Sequence, residues 1–199
     1  MTGKKQLPLY AFRGDTFFTR SDSVLGKVIR WAETDPGEEK TWANHTGVVV
    51  KDGWLVPPSE AYKTPVLAVV VEALAHVMHQ VWWTAHKDEV LKGQRIVAYG
   101  PVEPRTMEEF AAFKFYAMSK VGARYGWWKL LFHGADRLFF KGKKRLSKLL
   151  RVDSRPICSY LAAEANFEQA MTFGMSPQAA TPDEMLDYCE TNQEVWGKR

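Results

Sequence analysis

A chain of 199 residues, 46% hydrophobic and 25% charged, is within the size that one hydrophobic core can serve, and this balance excludes a disordered or fibrous polymer. The net charge of +4 favours anionic surfaces such as nucleic acid, phospholipid or cell-wall polymer without selecting among them. Two cysteines cannot build a disulfide framework, no Cys-x-x-Cys spacing suggests structural zinc, and no stretch approaches the roughly 20 apolar residues of a membrane-spanning helix. A single domain over residues 1–199 is expected. The first nine residues are polar and basic and lack the apolar core of a secretory signal, so the expected location is the cytoplasm, unless another route releases the protein.

In chain order, residues 9–19 read as an extended segment around Gly14-Asp15, with Asp15 a turn residue bonded to nearby backbone. A helix is expected over 23–32, with Val24, Val28, Ile29 and Trp31 on one side, ended by Asp35-Pro36-Gly37. Residues 44–51 form a β-rich run, and Asp52-Gly53 predicts a hairpin into Trp54-Leu55-Val56. The β-branched run 66–73 is apolar on both faces and predicts a central strand, and 95–102 predicts another. Thr106 and Glu109 form a capping-box signature for a helix continued by Phe110, Phe113, Ala117 and Val121, with Gly122 at its end. Residues 158–168 predict a further helix. Thr181, Pro182 and Glu184 mark the start of another by N-cap, N1 and N3 chemistry. The sum is an α+β domain.

Cys158 follows Pro156 by two residues and precedes a run of helix formers, which puts its thiol at a helix N-terminus. There the backbone N–H groups and the helix dipole favour a thiolate and can hold an oxyanion, with Arg155 nearby to reinforce both. A buried structural cysteine fits the same local pattern. Among the five histidines, His45 is the best placed base because it begins the strand His45-Thr46-Gly47-Val48-Val49-Val50. Gly47 shares its face and leaves room for a helix end or a substrate. Glu72 emerges from Val69-Val70-Val71, where a carboxylate needs a partner, and orienting the imidazole of His45 would supply one. A surface histidine and a strand-end glutamate turned to solvent are the plainer readings of the same two positions.

The blocks Gly14-Asp15-Thr16-Phe17-Phe18-Thr19-Arg20, Asn44-His45-Thr46-Gly47-Val48-Val49-Val50, Val70-Val71-Glu72-Ala73 and Cys158-Ser159-Tyr160-Leu161 resemble, in order, those of the YiiX-like group, a permuted branch of the NlpC-type papain-like superfamily. They are also similar to those of the lecithin:retinol acyltransferase family, in which histidine likewise precedes cysteine. The resemblance implies a circularly permuted papain-like α+β fold, an antiparallel sheet packed against helices, with Cys158 as nucleophile, His45 as base and Glu72 as third member. It also implies that Gly47, Ser159 and Tyr125, the last within Ala123-Arg124-Tyr125-Gly126, lie against substrate; a core tyrosine is the alternative at position 125. The sequence departs from the pattern at Asn44, where serine is common, and at Tyr160, where glutamate is, which leaves the substrate open.

Glu72, His76, His79 and His86 make a loose cluster, but His-x-x-His lacks the spacing and glutamate of a zinc-binding helix, so neither a metal nor another cofactor is expected. The segment 137–151 carries Arg137, Lys141, Lys143, Lys144, Arg145, Lys148 and Arg151 among leucines and phenylalanines. It reads as a solvated amphipathic helix or as a contact for anionic lipid or nucleic acid. The expected function is a cysteine hydrolase that cleaves an amide, with a peptidoglycan peptide as first substrate. The alternatives are acyl transfer to or from a lipid by the same residues, and a non-catalytic binding module using the basic segment.

Overall fold

In a computed structural model, the described residues are 6–21, 27, 30, 42–58, 65–126, 156–168 and 171–199. They form an α+β fold of eight strands and four α-helices: β1 (Leu9–Ala11), β2 (Thr16–Arg20), β3 (His45–Lys51), β4 (Gly53–Val56), β5 (Val69–Ala73), β6 (Val77–Val81), α1 (Trp82–Leu91), β7 (Arg95–Pro101), α2 (Met107–Ser119), α3 (Cys158–Phe167), α4 (Pro182–Thr191) and β8 (Trp196–Lys198). A six-stranded sheet runs in the order β6-β5-β3-β2-β7-β8 with every neighbouring pair antiparallel. The central strands are apolar on both sides because both faces of the sheet are covered. One face packs Phe17, Val49 and Val70 against Trp82 and Val90 of α1 and against β1 and β4. The other packs Phe18, Val48 and Val71 against Phe113 and Ala117 of α2, Leu161 and Ala162 of α3, and Met185 and Leu186 of α4.

Local chemistry sets the helix starts. Thr106 caps α2 through the backbone N–H of Glu109, whose carboxylate returns to the Thr106 N–H. Thr181 caps α4 in front of Pro182, with its oxygen on the Glu184 N–H. Both follow the expected signatures, each a contribution of about 1 kcal/mol. The chain leaves α2 at Lys120, two residues before Gly122 takes a left-handed turn at φ +84°. Asp15 accepts from the Phe12 N–H as expected of a turn residue.

The expected hairpin at Asp52-Gly53 does not form. β3 and β4 lie in different sheets: β4 pairs antiparallel with β1, while β3 pairs with β2 and β5. Asp52 spends its carboxylate on the Arg13 N–H, and Trp54 exchanges backbone bonds with Val66 and Ala68, which pulls the chain out of the plane of β3. The helix expected over 23–32 lies outside the described residues apart from Lys27 and Arg30, which are helical. The basic segment 137–151 and Arg155 also lie outside them. Among the described residues no helix is long and apolar enough to cross a membrane.

Candidate functional site

Cys158 is the first residue of α3. Its N-cap, Ile157, has no side chain able to bond the helix end, and the first intrahelical bond runs from the Leu161 N–H to the Ile157 carbonyl. The amides of the first turn are therefore oriented toward whatever lies at this end. Segment 123–126 joins α3 to the sheet: Ala123 bonds Val77, Tyr125 bonds Ala75 and Gly126 bonds the Pro156 carbonyl. These contacts hold the buried Tyr125 hydroxyl 3.9 Å from the Cys158 sulfur.

His45, the first residue of β3, places Nε2 2.7 Å from Glu72 Oε2, and its ring also interacts with Cys158. Glu72 stands directly opposite Gly47 across the β3–β5 ladder, two residues along from His45 on the same face, which brings the carboxylate to the far side of the ring. Cys158, His45 and Glu72, from positions as far apart as 45 and 158, are thus brought to one place in the fold. The neighbouring blocks have structural reasons of their own. Asn44 is buried and bonds both the N–H and the carbonyl of Ser21, which pins the start of β3 to the end of β2.

The electrostatics follow from burial and pairing. Burial opposes a charged Cys158, but the bond to His45, the charge of that ring, the Thr46 N–H and the Tyr125 hydroxyl outweigh it and hold the thiol below its ordinary value. Burial likewise opposes a charged His45, yet its bonds to Cys158 and Glu72 push it up to about 10. Glu72 is fully buried, and the two histidines on it overcome the cost of burial and hold its carboxyl well below the usual carboxylate range. Each of the three shifts runs in the direction that favours thiolate, imidazolium and carboxylate. Cys189, by contrast, is buried in α4, and burial together with the Glu190 charge pushes its thiol up. The two thiols are both free and have opposite characters.

One expectation needs correction. Gly47 does not leave a vacancy for substrate: a Cβ there would stand 2.7 Å from the Phe17 ring and 2.9 Å from the Glu72 Cβ, so its missing side chain admits Glu72 itself. Ser159, also expected against substrate, is 1% exposed within α3. Glu72 is not turned to solvent. Of the loose histidine cluster, only His86 approaches Glu72; His76 and His79 are exposed elsewhere. Among the described residues no group of three or more His, Cys, Asp or Glu is arranged to hold a metal.

No protein-family model matches the chain, and no curated protein does. Among solved structures, one that matches is the crystal structure of the metalloprotein YiiX from Escherichia coli O157:H7, DUF1105. It is 18% identical, with a TM-score of 0.48, over 82% of this chain and 69% of that one. What the site can do follows from its own geometry.

Sequence reasoning missed two residues here. Gln80 and His86 both bond Glu72 Oε1, at 2.8 Å each. Gln80 carried no signal, and His86 stood out only as one of several histidines near position 72.

Proposed function

We propose that the protein is a cysteine hydrolase acting on an amide by way of an acyl-enzyme, with Cys158 as nucleophile, His45 as acid and base, and Glu72 as the residue that orients His45. The observation that carries this reading is the buried Glu72 carboxylate 2.7 Å from the His45 ring, which interacts in turn with a Cys158 at a helix N-terminus, where a thiolate is favoured. The thiolate attacks the carbonyl carbon, and the C–O π electrons move to oxygen. Amides of the first turn of α3 face that oxyanion, with Tyr125 alongside the sulfur. The His45 imidazolium protonates the amine as the C–N bond breaks, leaving an acyl thioester on Cys158. Water, deprotonated by His45, then attacks the thioester carbonyl, and as the C–S bond breaks the acid leaves and the thiolate–imidazolium pair is restored. At 5% exposure of Cys158, these steps run in a water-poor setting where each electrostatic contact counts for more than in bulk.

The sequence resemblance makes a peptide amide of peptidoglycan the first substrate to try. Alkylation by iodoacetamide against pH tests the chemistry without knowing the substrate. Cys158 should react well below pH 8, lose that reactivity in His45→Ala, and stand apart from a Cys189 that stays inert in the folded protein. A Cys158 that titrates as an ordinary thiol, unaffected by His45, would overturn the reading. Mass spectrometry of a covalent acyl adduct at Cys158, formed with a peptidoglycan fragment, then identifies the substrate.

A further inference from the structure

Orienting His45 occupies only one oxygen of Glu72. The other, Oε1, accepts from Gln80 Nε2 of β6 and from His86 Nε2 of α1, so one carboxylate with no exposure to solvent is held by three donors. Gln80 reaches it diagonally: Glu72 pairs with Met78, and Gln80 is the next residue on the same face of β6. His86 arrives from the helix that covers this face of the sheet. Its ring lies 5.0 Å from that of the fully buried Trp82, tilted by 33°, which restricts the direction its Nε2 can point. The groups facing His86 are Glu72 from β5, Gln80 from β6 and Trp82 from its own helix. β4, which packs on α1, has no titratable side chain; His79 projects from the opposite face of β6; and Lys87, Asp88 and Glu89 are exposed.

We propose that His86 is a positioning residue, assisted by Gln80: by bonding Oε1 it fixes the carboxylate of Glu72 so that Oε2 faces His45. The consequence for catalysis rests on the function proposed above, but the anchoring itself does not. With Oε1 left bare, the carboxylate can turn toward the remaining donor and is less willing to stay ionised, so it supports the His45 imidazolium less and His45 in turn supports the thiolate less.

The test uses the full chain and reads the ring nitrogens of His45 by NMR against pH, with Cys158 alkylation measured in parallel. His86→Phe keeps a ring beside Trp82 and removes the donor; His86→Gln restores a side-chain N–H. In His86→Phe the His45 titration should fall by about one unit, and alkylation at pH 6 should slow by about tenfold. In His86→Gln both should return to within about twofold of wild type, which a role in packing alone would not produce. Gln80→Leu, which leaves α1 intact, should move His45 in the same direction and serves if His86→Phe does not fold. An unmoved His45 titration in His86→Phe, or in Gln80→Leu where that variant stands in, overturns the inference; so does an equal loss in His86→Gln and His86→Phe. If wild-type Cys158 alkylates like an ordinary thiol, the nucleophile reading fails, while the His45 titration still decides the role of His86.

Discussion

Glu72 shows how much one residue type is constrained by its neighbours. A fully buried carboxylate is costly unless donors surround it, and here His45, Gln80 and His86 do so. Glu72→Gln keeps the shape and removes the charge. Turnover should fall by roughly 10²- to 10⁴-fold, and the pH at which Cys158 becomes alkylated should move up toward that of a free thiol. Comparing steady-state rates with the alkylation profile checks both. At this scale the sequence was informative where a residue type clashed with its surroundings: a carboxylate after three valines, a histidine at a strand start, a cysteine before a helix. It was silent on Gln80, since a glutamine in a short strand conflicts with nothing, and it suggested the wrong use for Gly47, whose lack of a Cβ reads the same whether ligand or protein fills the space.

At the scale of elements, that glycine sets the distance between β3, β5 and β2. Gly47→Ala would place a methyl group against the ring of Phe17 and the Cβ of Glu72, both parts of the packed sheet with little freedom to retreat. The expected cost is about 1–3 kcal/mol in urea denaturation, together with a weakened His45–Glu72 contact that shows as slower alkylation of Cys158. Helices with side-chain caps, α2 and α4, were legible in advance from Thr106, Glu109, Thr181 and Glu184. α1 was not: it follows β6 directly, its N-cap is Val81, and its first turn holds no acidic residue. β6 was equally quiet, because Val77-Met78-His79-Gln80-Val81 shows no clean alternation at the open edge of the sheet. The supports of Glu72 come from these two elements, which is why Cys158, His45 and Glu72 stood out in the sequence and the residues behind them did not. The hairpin failed for a tertiary reason, since a strong local turn signal gave way to the pairing of β4 with β1.

Across the whole molecule, the last residue is tied to one of the first strands. Arg199 donates two bonds of 3.0 Å to the carboxylate of Asp15, which sits just before β2 and is 1% exposed, and its guanidinium lies over the Phe12 ring. The backbone of β7 passes so close that a Cβ at Gly100 would overlap Asp15 Oδ1, so only glycine fits beneath this ion pair. Burial pushes the Asp15 carboxyl up, and Arg199 pulls it back. Arg199→Ala should therefore destabilise the fold by about 3 kcal/mol near pH 7. The deficit should shrink as pH falls: with a folded value above the ordinary 3.8, the folded state takes up a proton before the unfolded one, which favours folding through that window. Glu72 has the opposite sign. Its lowered value contributes stability that is present above the ordinary 4.5 and lost as pH falls below it, so Glu72→Gln should flatten the acid side of the stability curve. Urea midpoints of the wild type and both variants between pH 7 and pH 3.5 separate the two effects.

The six-stranded sheet stands between the sulfur and the side chains that tune it. Cys158 belongs to the helical layer on one face, and His86 to the layer on the other, with His45 and Glu72 on the strands between. On the proposed function, full reactivity of this sulfur therefore requires both layers to be docked on the sheet, and a chain with only one of them in place would carry an ordinary thiol.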